Sequence, residues 1–482
     1  MLNKIKKYPY ISLLPICLGV FIAADDQTVI VTIIPEIMND MNIAPNELNK
    51  VSWSITGYLI GYISAIPVIG RISDIYGKRR IFMLCIITFL IGSILVALSP
   101  TIELLILSRI FQAIGAGALI PIGISITSDY FPQNKIAVPI GIIGGTAEAG
   151  GVIGPLWGGI ISNYINWKWV FWINIPLGLI VLLTCILFIN PKKSSGEKFN
   201  LISGFILIIS LVSITLGLNK LNPIDIYTYI YFTIFIITTL ILIIQINSKN
   251  FNNIKSQFKT YNFISVNLSH LLIGSSLMIG MITVPLMANT VLGLNPLDGG
   301  LYLMRMTIAI PVSAILGGII YQKTNYKITV IIGLIISSIG FLLMSNWTLE
   351  ISDPSLTIHL FVTGFGLGML ISPIYSKGLE SIQETYKTTA ASILTVSRLI
   401  GMTLTISWIS AWGTSRFKEL TNDIHILPIF IQTNLNSNNL TSDIQLQITE
   451  SGLKLFNEFF LIASILCIIG IIPLILIKNK IN

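Results

Sequence analysis

The sequence predicts an all-α integral membrane protein with 14 transmembrane helices, arranged as two six-helix bundles plus two extra helices between them. Three observations support this fold class: only 10% of the 482 residues are charged, 53% are hydrophobic, and the mean hydropathy is +0.83. A soluble protein carries about 25% charged residues because its surface must face water. The composition therefore argues against a soluble enzyme, a nucleic-acid-binding protein and a disordered scaffold.

Fourteen apolar runs are long enough to cross a membrane, which takes about 20 residues per helix. They cover residues 10–34, 52–72, 80–98, 103–128, 136–162, 168–189, 202–219, 226–246, 262–288, 297–321, 328–345, 356–378, 388–413 and 455–477. Three lysines precede the first run, and no small-residue cleavage site follows it. We therefore interpret it as a retained span rather than a signal peptide.

Basic residues in the loops predict the orientation. With a cytoplasmic N-terminus, the inside segments hold nineteen Lys and Arg residues and the outside segments hold six. This asymmetry fits the positive-inside rule and predicts a multi-pass protein of the cytoplasmic membrane with both termini in the cytoplasm. Contact of the basic loops with anionic lipid headgroups accounts for the net charge of +8, so no nucleic-acid partner is expected.

The predicted domains are residues 1–189 (N-terminal six-helix bundle), 190–261 (two linker helices) and 262–482 (C-terminal six-helix bundle). An Asn-rich outside stretch, 414–454, is read as a mobile connector or as a cap over a cavity mouth. A six-plus-six arrangement with substrate held between the halves is a common transporter plan. The loops at 70–80 and 317–327 resemble each other weakly, since both follow small-residue helix ends and are basic.

The loop after the second span predicts a cytoplasmic gate. Its residues are Gly70, Asp74, Gly77, Lys78, Arg79 and Arg80. An acid and a basic triplet around a turn glycine place charges at a helix end, where charge pairing can lock two bundles together and release them. Simple positive-inside anchoring is the alternative, but it requires no such glycine and acid spacing.

The fifth span predicts a tightly packed, kinked hinge. Its residues of interest are Gly141, Gly150, Gly154, Pro155, Gly158 and Gly159. Three of the glycines recur every four residues, so they line one helix face and admit a close neighbour. Pro155 removes a backbone hydrogen bond and bends the helix. Glu148 lies about 120° from the centre of this face.

Six ionisable residues fall within the spans: Asp25, Asp26, Glu148, Arg109, Arg305 and Arg398. Each costs about 2.5–3.5 kcal/mol at a helix centre, so they should face a cavity or pair with one another. Helix rise places Glu148 and Arg398 near the midplane, and Asp26 and Arg305 about 6 Å further toward the outside. Arg109 lies further out still.

Asp26 and Glu148 are the candidate proton or cation sites. Burial raises the proton affinity of an acid and a nearby Arg lowers it, so moving a helix past an Arg can load and unload a proton. A fixed structural ion pair is the alternative for each acid. Asp25 points about 100° away from Asp26 and ranks lower. For Arg398 and Arg305, a pairing role and substrate contact are equally plausible.

No cofactor is expected apart from the proton gradient. The four cysteines lie inside apolar runs without metal or redox spacing, and the three histidines are scattered, so we expect no metal site. No nucleotide-binding loop is present, and we expect a monomer without enzyme activity. Five aromatic residues are candidates for stacking on a flat substrate or for the interfacial belt. They are Trp53, Tyr58, Trp157, Trp408 and Trp412.

Taken together, these features resemble the major facilitator superfamily, and within it the fourteen-helix drug:proton antiporters. The loop 70–80 looks like the family's gate signature, and 141–159 matches the antiporter signature of the fifth helix. Asp26-Gln27-Thr28 with Pro35, Arg109 to Gln112 with Gly115, 167–171 with Asn174 and Pro176, and Arg398 with Gly401 resemble further family patterns. The resemblance implicates Arg109 in proton coupling. Ala113, Val31, Ile33 and Asn200 depart from the usual residues.

The resemblance implies a proton-coupled exporter of hydrophobic or amphiphilic compounds, working by alternating access, with multidrug efflux as the first prediction. The combination of Asp26, Glu148, Arg305 and Arg398 also resembles a branch that contains mycobacterial lipid exporters. Lipid or glycolipid export is therefore an alternative, and a proton-coupled solute importer is another. A membrane-embedded enzyme and a non-transporting receptor rank below these. The expected partners are a small hydrophobic or amphiphilic substrate, protons and membrane lipids.

Overall fold

The computed structural model describes residues 9–43, 47–191, 199–220, 225–246, 256–380, 382–421 and 437–475. Within these ranges the chain is helical and contains no strand. Fourteen helical segments are long and apolar enough to cross a membrane. The predicted fold class, with two six-helix bundles and two helices between them, is confirmed. The exact domain boundaries stay a prediction.

Spans 1–6 form the N-terminal bundle. Their helices are Leu13–Asp40, Leu48–Tyr76, Lys78–Ala97, Ile102–Gly117 with Leu119–Tyr130, Ala137–Tyr164, and Lys168–Trp172 with Asn174–Phe188. Spans 7 and 8, the linker helices, are Leu201–Asn219 and Ile226–Ile246. The eighth span buries little of its surface, as expected of a helix that faces lipid.

Spans 9–14 form the C-terminal bundle. Their helices are Tyr261–Thr290, Pro296–Thr307 with Ala309–Lys323, Tyr326–Met344, Ser355–Met369 with Ile371–Glu380, Lys387–Leu420, and Ser437–Ile469 with Ile472–Ile475. Because the number of spans is even, the first span begins and the last span ends at one face. We call it the terminal face, and the other the opposite face.

Several span starts are fixed by polar caps in the sequence. The side chains of Thr101, Asn200, Thr260 and Asn325 each accept a hydrogen bond from the backbone N–H three residues later. Such N-caps satisfy donors that the helix itself leaves open. Asn200, which departs from the usual family residue, therefore still performs the capping role at the start of the seventh span.

The stretch 414–454 is more helical than the predicted connector. The thirteenth helix continues to Leu420 and the fourteenth begins at Ser437. Hydropathy detects only the part of a helix that lies in lipid, and this is why the polar helix ends escaped the prediction. Arg416 joins the two helices by donating to Glu458 at 2.8 and 2.9 Å. The Asn-rich centre, 422–436, lies outside the described residues.

The two bundles meet through span 5 against span 10 and through span 2 against span 13. Small residues bring the helices close. A Cβ placed on Gly145 would lie 2.9 Å from the carbonyl oxygen of Pro311, and one on Gly318 would lie 2.7 Å from that of Ala137. These contacts place the charged residues of spans 5 and 13 between the bundles.

Candidate functional site

Asp26 lies at the centre of a buried polar network inside the N-terminal bundle. Nη1 of Arg109 donates to its carboxylate at 2.5 Å, and Nη2 donates to its backbone carbonyl at 3.1 Å. The amide nitrogens of Gln112 and Asn174 donate to the other carboxylate oxygen at 2.9 and 3.2 Å. Both amides also donate to the hydroxyl of Ser93. We call these five residues the Asp26 network.

The Asp26 network is sealed from water. The side chains of Asp26 and Arg109 are both 0% exposed, and the Arg109 guanidinium lies 4.1 Å from the ring centroid of Tyr58. A buried carboxylate that accepts one hydrogen bond from a guanidinium and two from side-chain amides is well satisfied in its ionised form. In this conformation the network therefore holds Asp26 as half of an ion pair.

Glu148 and Arg398 form a second ion pair, and this one connects the two bundles. Nη2 of Arg398, on span 13, donates to Oε1 of Glu148, on span 5. Each residue lies eleven positions after the start of its helix, or about 16 Å, which is near the middle of a 30 Å hydrocarbon core. Their side chains retain 16% and 19% exposure. Unlike the Asp26 network, this pair touches accessible space.

Arg398 lines a narrow cleft in the C-terminal bundle with a free volume of about 10 Å³. His270 is the other polar residue of the wall, and its Nδ1 lies 2.9 Å from the carbonyl oxygen of Leu394. The rest of the wall is aliphatic and consists of Ile273, Leu277, Ile310, Leu367, Leu370, Ile371 and Ile374. Ligand pockets usually hold about 300–1,000 Å³, whereas this cleft has about the room that one water molecule needs, so it does not admit an acyl chain in this conformation.

The remaining two embedded residues are not paired with each other. Arg305 donates to the carboxylate of Asp353 at 2.8 and 2.9 Å and to the hydroxyl of Thr357 at 2.9 Å. This cluster lies at the opposite face within the C-terminal bundle, so Arg305 pairs with an acid outside the spans, and its contact with substrate stays a prediction. Asp25 is 9% exposed, and among the described residues its carboxylate has no hydrogen-bond or ion-pair partner.

The glycines of span 5 serve two different neighbours. Gly141 and Gly145, near the terminal face, pack on span 10 of the other bundle. Gly150 and Gly154 pack on span 1, where a Cβ would lie 2.6 Å from the carbonyl oxygen of Phe21 and 2.7 Å from that of Asp25, respectively. Gly158 continues this face against span 1. The predicted close packing is therefore present, and the partner of the four-residue repeat is the span that carries the aspartates.

Asp74 joins the bundles at the terminal face. Its carboxylate accepts hydrogen bonds from the backbone N–H groups of Thr388 and Thr389 at 3.0 and 2.8 Å, and from the Thr389 hydroxyl at 2.7 Å. These N–H groups open the thirteenth helix, where the helix dipole favours a negative charge. Close by, the Thr388 hydroxyl donates to that of Ser125 at 2.8 Å. The terminal face is closed in this conformation.

Among the described residues, the hydrogen bonds of Lys78 and Arg79 lie within the N-terminal bundle rather than across to the other bundle, which differs from the charge pairing expected of the gate. Lys78 donates to Asp129 at 2.9 Å and to the Ser125 carbonyl at 3.0 Å, both within the N-terminal bundle. Arg79 donates to a carbonyl of span 6 in the same bundle. Gly77 has a φ of 103°, a conformation that favours glycine, and it turns the chain from span 2 into span 3. Three other residues of this loop contact the C-terminal bundle: Asp74 binds the start of the thirteenth helix, and Gly70 packs against Ser392 of that helix. Arg71 donates to the Thr385 carbonyl, and its guanidinium lies 4.7 Å from the ring centroid of Tyr386.

Several residues of the site escaped the sequence reasoning. Ser93, Thr388, Thr389, Asp129 and Asp353 carry no distinctive pattern, because their partners are distant in sequence. Gln112 and Asn174 entered the sequence analysis only as members of family-like patterns. Their amides inside apolar spans offered a further signal, since burying an amide costs free energy unless it is hydrogen-bonded.

Of the five aromatic candidates, three pack against other side chains and two are exposed at the surface. Tyr58 is buried beneath Arg109 and is closed to substrate. Trp408 and Trp412 stack on each other with ring centroids 5.1 Å apart, and Phe459 packs edge-on against both. Trp53 and Trp157 are exposed, as residues of an interfacial belt are.

Comparison with known proteins gives concordant results. A triacylglyceride transporter of Mycolicibacterium hassiacum is 31% identical over 424 residues, covering 83% of this chain and 79% of the relative. A triacylglyceride transporter of Mycobacterium tuberculosis is 28% identical over 488 residues, covering 96% and 93% of the two chains.

Solved structures show the same fold. A human organic anion transporter superposes with a TM-score of 0.64 at 13% identity, over 95% of this chain and 99% of its own. A proton:xylose symporter superposes with a TM-score of 0.59 at 13% identity, over 95% of both chains. The family profile of the Major Facilitator Superfamily matches residues 16–406. The chain is therefore a membrane transporter that belongs to the Major Facilitator Superfamily.

Proposed function

We propose that this protein is a proton-coupled exporter of uncharged lipids of the acylglycerol class, working by alternating access. One observation carries the proposal: the Glu148–Arg398 ion pair joins the two bundles near the membrane centre, beside a cleft whose other walls are mostly aliphatic. A pair in this position responds both to protonation and to the relative movement of the bundles.

Proton coupling follows from the chemistry of that pair. The ionised Glu148 holds Arg398, and so it holds span 5 against span 13. A protonated Glu148 attracts Arg398 much less, which weakens the connection between the bundles. Each proton that moves inward supplies about 2.3 kcal/mol per 100 mV of membrane potential. One proton per cycle therefore supports a gradient of more than tenfold for an uncharged cargo.

Alternating access follows from the contacts at the terminal face. Asp74 closes that face by capping the thirteenth helix, and the midplane pair lies about 15 Å beyond it. Transport in either direction requires these contacts to open while the bundles rock about their shared centre. The predicted orientation makes the terminal face cytoplasmic, so the described conformation is the one in which cytoplasmic access is closed.

The lipid class is supported by the cleft and by the relatives. Seven of its nine lining residues are aliphatic, and its one fixed cation is neutralised by Glu148. Such a wall suits acyl chains with an uncharged ester headgroup better than a sugar. Two relatives that cover most of the chain carry the name triacylglyceride transporter. We therefore place lipid export ahead of the multidrug efflux that the sequence first predicted.

The test is transport in liposomes that contain purified protein, under an imposed pH gradient. Fluorescent triacylglycerol and a fluorescent lipophilic cation serve as the two cargoes. We expect gradient-driven movement of the triacylglycerol, lost in Glu148→Gln and kept in Glu419→Gln, whose side chain is 67% exposed. Movement of the cation alone would favour drug efflux. Movement without any response to the gradient would contradict proton coupling.

A further inference from the structure

The two adjacent aspartates of span 1 lie in opposite environments. Asp26 receives hydrogen bonds from Arg109, Gln112 and Asn174 and is fully enclosed. Asp25 is 9% exposed and receives no hydrogen bond and no cation from any described residue. Successive helix residues point about 100° apart, so one acid turns into the N-terminal bundle and the other turns away from that network.

Asp25 lies where span 1 meets the glycine face of span 5. A Cβ on Gly150 would lie 3.1 Å from the backbone nitrogen of Asp25, and one on Gly154 would lie 2.7 Å from its carbonyl oxygen. Gly151, which follows Gly150, borders open space, because the nearest atom to a Cβ placed there would be the Thr28 methyl carbon, at 3.9 Å. The glycines therefore bring the backbone of span 5 directly against that of Asp25, and the open space at this level lies beside Gly151 and Thr28.

No nearby cation is available to Asp25 in this conformation. Spans 2, 4, 5 and 6 pack against span 1, and the charged residues embedded in these five spans besides Asp25 are Asp26 on its own helix, Arg109 on span 4 and Glu148 on span 5. The uncharged titratable residues within them include Tyr58 and Tyr62 on span 2, Cys17 on span 1 and Cys185 on span 6. Arg109 is committed to Asp26, and the Arg398 that reaches Glu148 from span 13 is committed there. An ionised Asp25 would therefore lie buried, without a counterion, next to a second negative charge. Both conditions favour the neutral carboxylic acid.

We propose that Asp25 carries the transported proton in the conformation whose terminal face is closed, while Asp26 stays ionised in its pair with Arg109. This inference rests on the proton coupling of the proposed function: while Glu148 is ionised in its pair with Arg398, Asp25 is the acid that holds the proton. The proton comes from water at the opposite face and forms the O–H bond of the Asp25 carboxyl. It returns to water on the terminal side when the bundles separate there. Asp26 is then the fixed charge that keeps Asp25 protonated until that opening.

The first experiment measures protonation and needs no transport. Dicyclohexylcarbodiimide adds to protonated carboxyl groups in apolar surroundings and rearranges to a stable N-acylurea. Purified full-length protein is treated over a range of pH, and the peptide that contains both aspartates is sequenced by mass spectrometry. We expect the adduct on Asp25, decreasing as the pH rises, and absent from Asp25→Asn. An adduct on Asp26, or none on Asp25 at any pH, would overturn the proposal.

The second experiment separates this inference from the proposed function. Asp25→Asn is compared with Asp40→Asn, which lies on the same helix and pairs with Lys168 at the surface. Both variants are first checked for folding by size-exclusion chromatography and thermal melting. We expect the pH gradient to drive lipid accumulation in wild type and in Asp40→Asn, and accumulation in Asp25→Asn to fall to the level without a gradient.

The outcomes remain distinguishable. If wild type responds to the gradient and folded Asp25→Asn responds equally, the role of Asp25 is refuted and the exporter stands. If wild type ignores the gradient, proton coupling is refuted, and the carbodiimide adduct alone decides whether Asp25 is protonated.

Discussion

At the residue scale, the protein contains ion pairs of two kinds. Arg109 and Asp26 are 0% exposed, whereas Arg305 and Asp353 are 31% and 56% exposed at the opposite face. Removing one partner of a buried pair leaves an uncompensated charge, which costs about 3–5 kcal/mol. Exposed pairs contribute about 0–1 kcal/mol because water competes for both charges. The same chemical substitution should therefore have very different effects at the two sites.

We expect Asp26→Asn to destabilise the protein strongly and Asp353→Asn to leave it nearly unchanged. Thermal melting of both variants in the same detergent measures the difference. Adding Arg109→Gln to Asp26→Asn should recover part of the loss, because the double variant buries no lone charge. Equal melting temperatures for the two single variants would contradict the structural role given to the Asp26 network.

The pH dependence of the Arg305–Asp353 contact has a defined sign. The pKa of Asp353 lies below its ordinary value because Thr357 donates a hydrogen bond to its carboxylate and Arg305 lies beside it. The contact therefore stabilises the folded protein above about pH 4, the pKa of a free Asp, and this contribution is lost as the pH falls through the lower folded value.

We expect the small stability difference between wild type and Asp353→Asn to be constant from pH 8 to pH 5. It should shrink only below about pH 4, where the unfolded carboxyl is protonated. Parallel melting curves across this range measure it, and taking the difference between the two proteins removes the titration of all other groups. A difference that grows as the solution is acidified would contradict the assignment.

Residue pairing is also where sequence reasoning was weakest. Helix periodicity separated the directions of Asp25 and Asp26, and the cost of buried charge predicted that embedded acids face a cavity or pair. The structure pairs Asp26 and Glu148 with arginines. The identity of each cation depends on which spans pack together, and Asp26 and Arg109 are 83 positions apart. Asp353 was missed because it precedes the twelfth helix, in a loop that hydropathy excludes.

At the scale of elements, the glycine repeat of span 5 makes the sharpest prediction. Gly154 packs against the backbone of span 1, whereas a Cβ on Gly159 would find nothing within 4 Å. Both are helical glycines, so the gain in helix propensity on substitution by Ala, about 1 kcal/mol, is common to both. Their difference isolates the steric effect on the contact between spans 1 and 5.

We expect Gly154→Ala to lower the melting temperature and to impair transport, because the backbones of spans 1 and 5 must move apart. Gly159→Ala should melt at or above the wild-type temperature. Thermal melting together with liposome transport measures both effects. A Gly154→Ala variant that is as stable and active as Gly159→Ala would show that the close approach is unimportant.

The elements themselves were largely predictable. Each of the fourteen apolar runs became a span, since lipid leaves an apolar helix as the stable form of such a segment. The ends were less predictable: the fourteenth helix begins at Ser437, eighteen positions before its apolar run. Helices that continue into water keep their hydrogen bonds but lose the apolar signal, so hydropathy alone cannot mark where they start.

At the scale of the whole molecule, the conformation with a closed terminal face can be trapped by a disulfide between the two bundles. The hydroxyls of Ser125 on span 4 and Thr388 on span 13 lie 2.8 Å apart, and they belong to different bundles. Replacing both with Cys places two thiols within reach of a disulfide. Of the four native cysteines, three are buried and Cys17 is partly buried, which limits competing oxidation.

We expect oxidised Ser125→Cys/Thr388→Cys protein to stop transporting and to recover when a reductant is added. Each single variant, treated with the same oxidant, should transport before and after treatment. Liposome transport and a mobility shift after thiol labelling measure activity and cross-linking together. A fully cross-linked protein that transports at the wild-type rate would refute alternation at this face.

The contact of Asp74 with the start of the thirteenth helix predicts a pattern of sequence conservation. Two of its three donors belong to the main chain of positions 388 and 389, and every amino acid except proline supplies a peptide N–H. Substitutions at those two positions therefore keep both backbone donors as long as proline is avoided, although only Ser or Thr at position 389 also keeps the hydroxyl donor. The carboxylate opposite them has no substitute within the backbone. In families built on this plan we expect an acidic residue to be retained at the position of Asp74, while the side chains at positions 388 and 389 vary more.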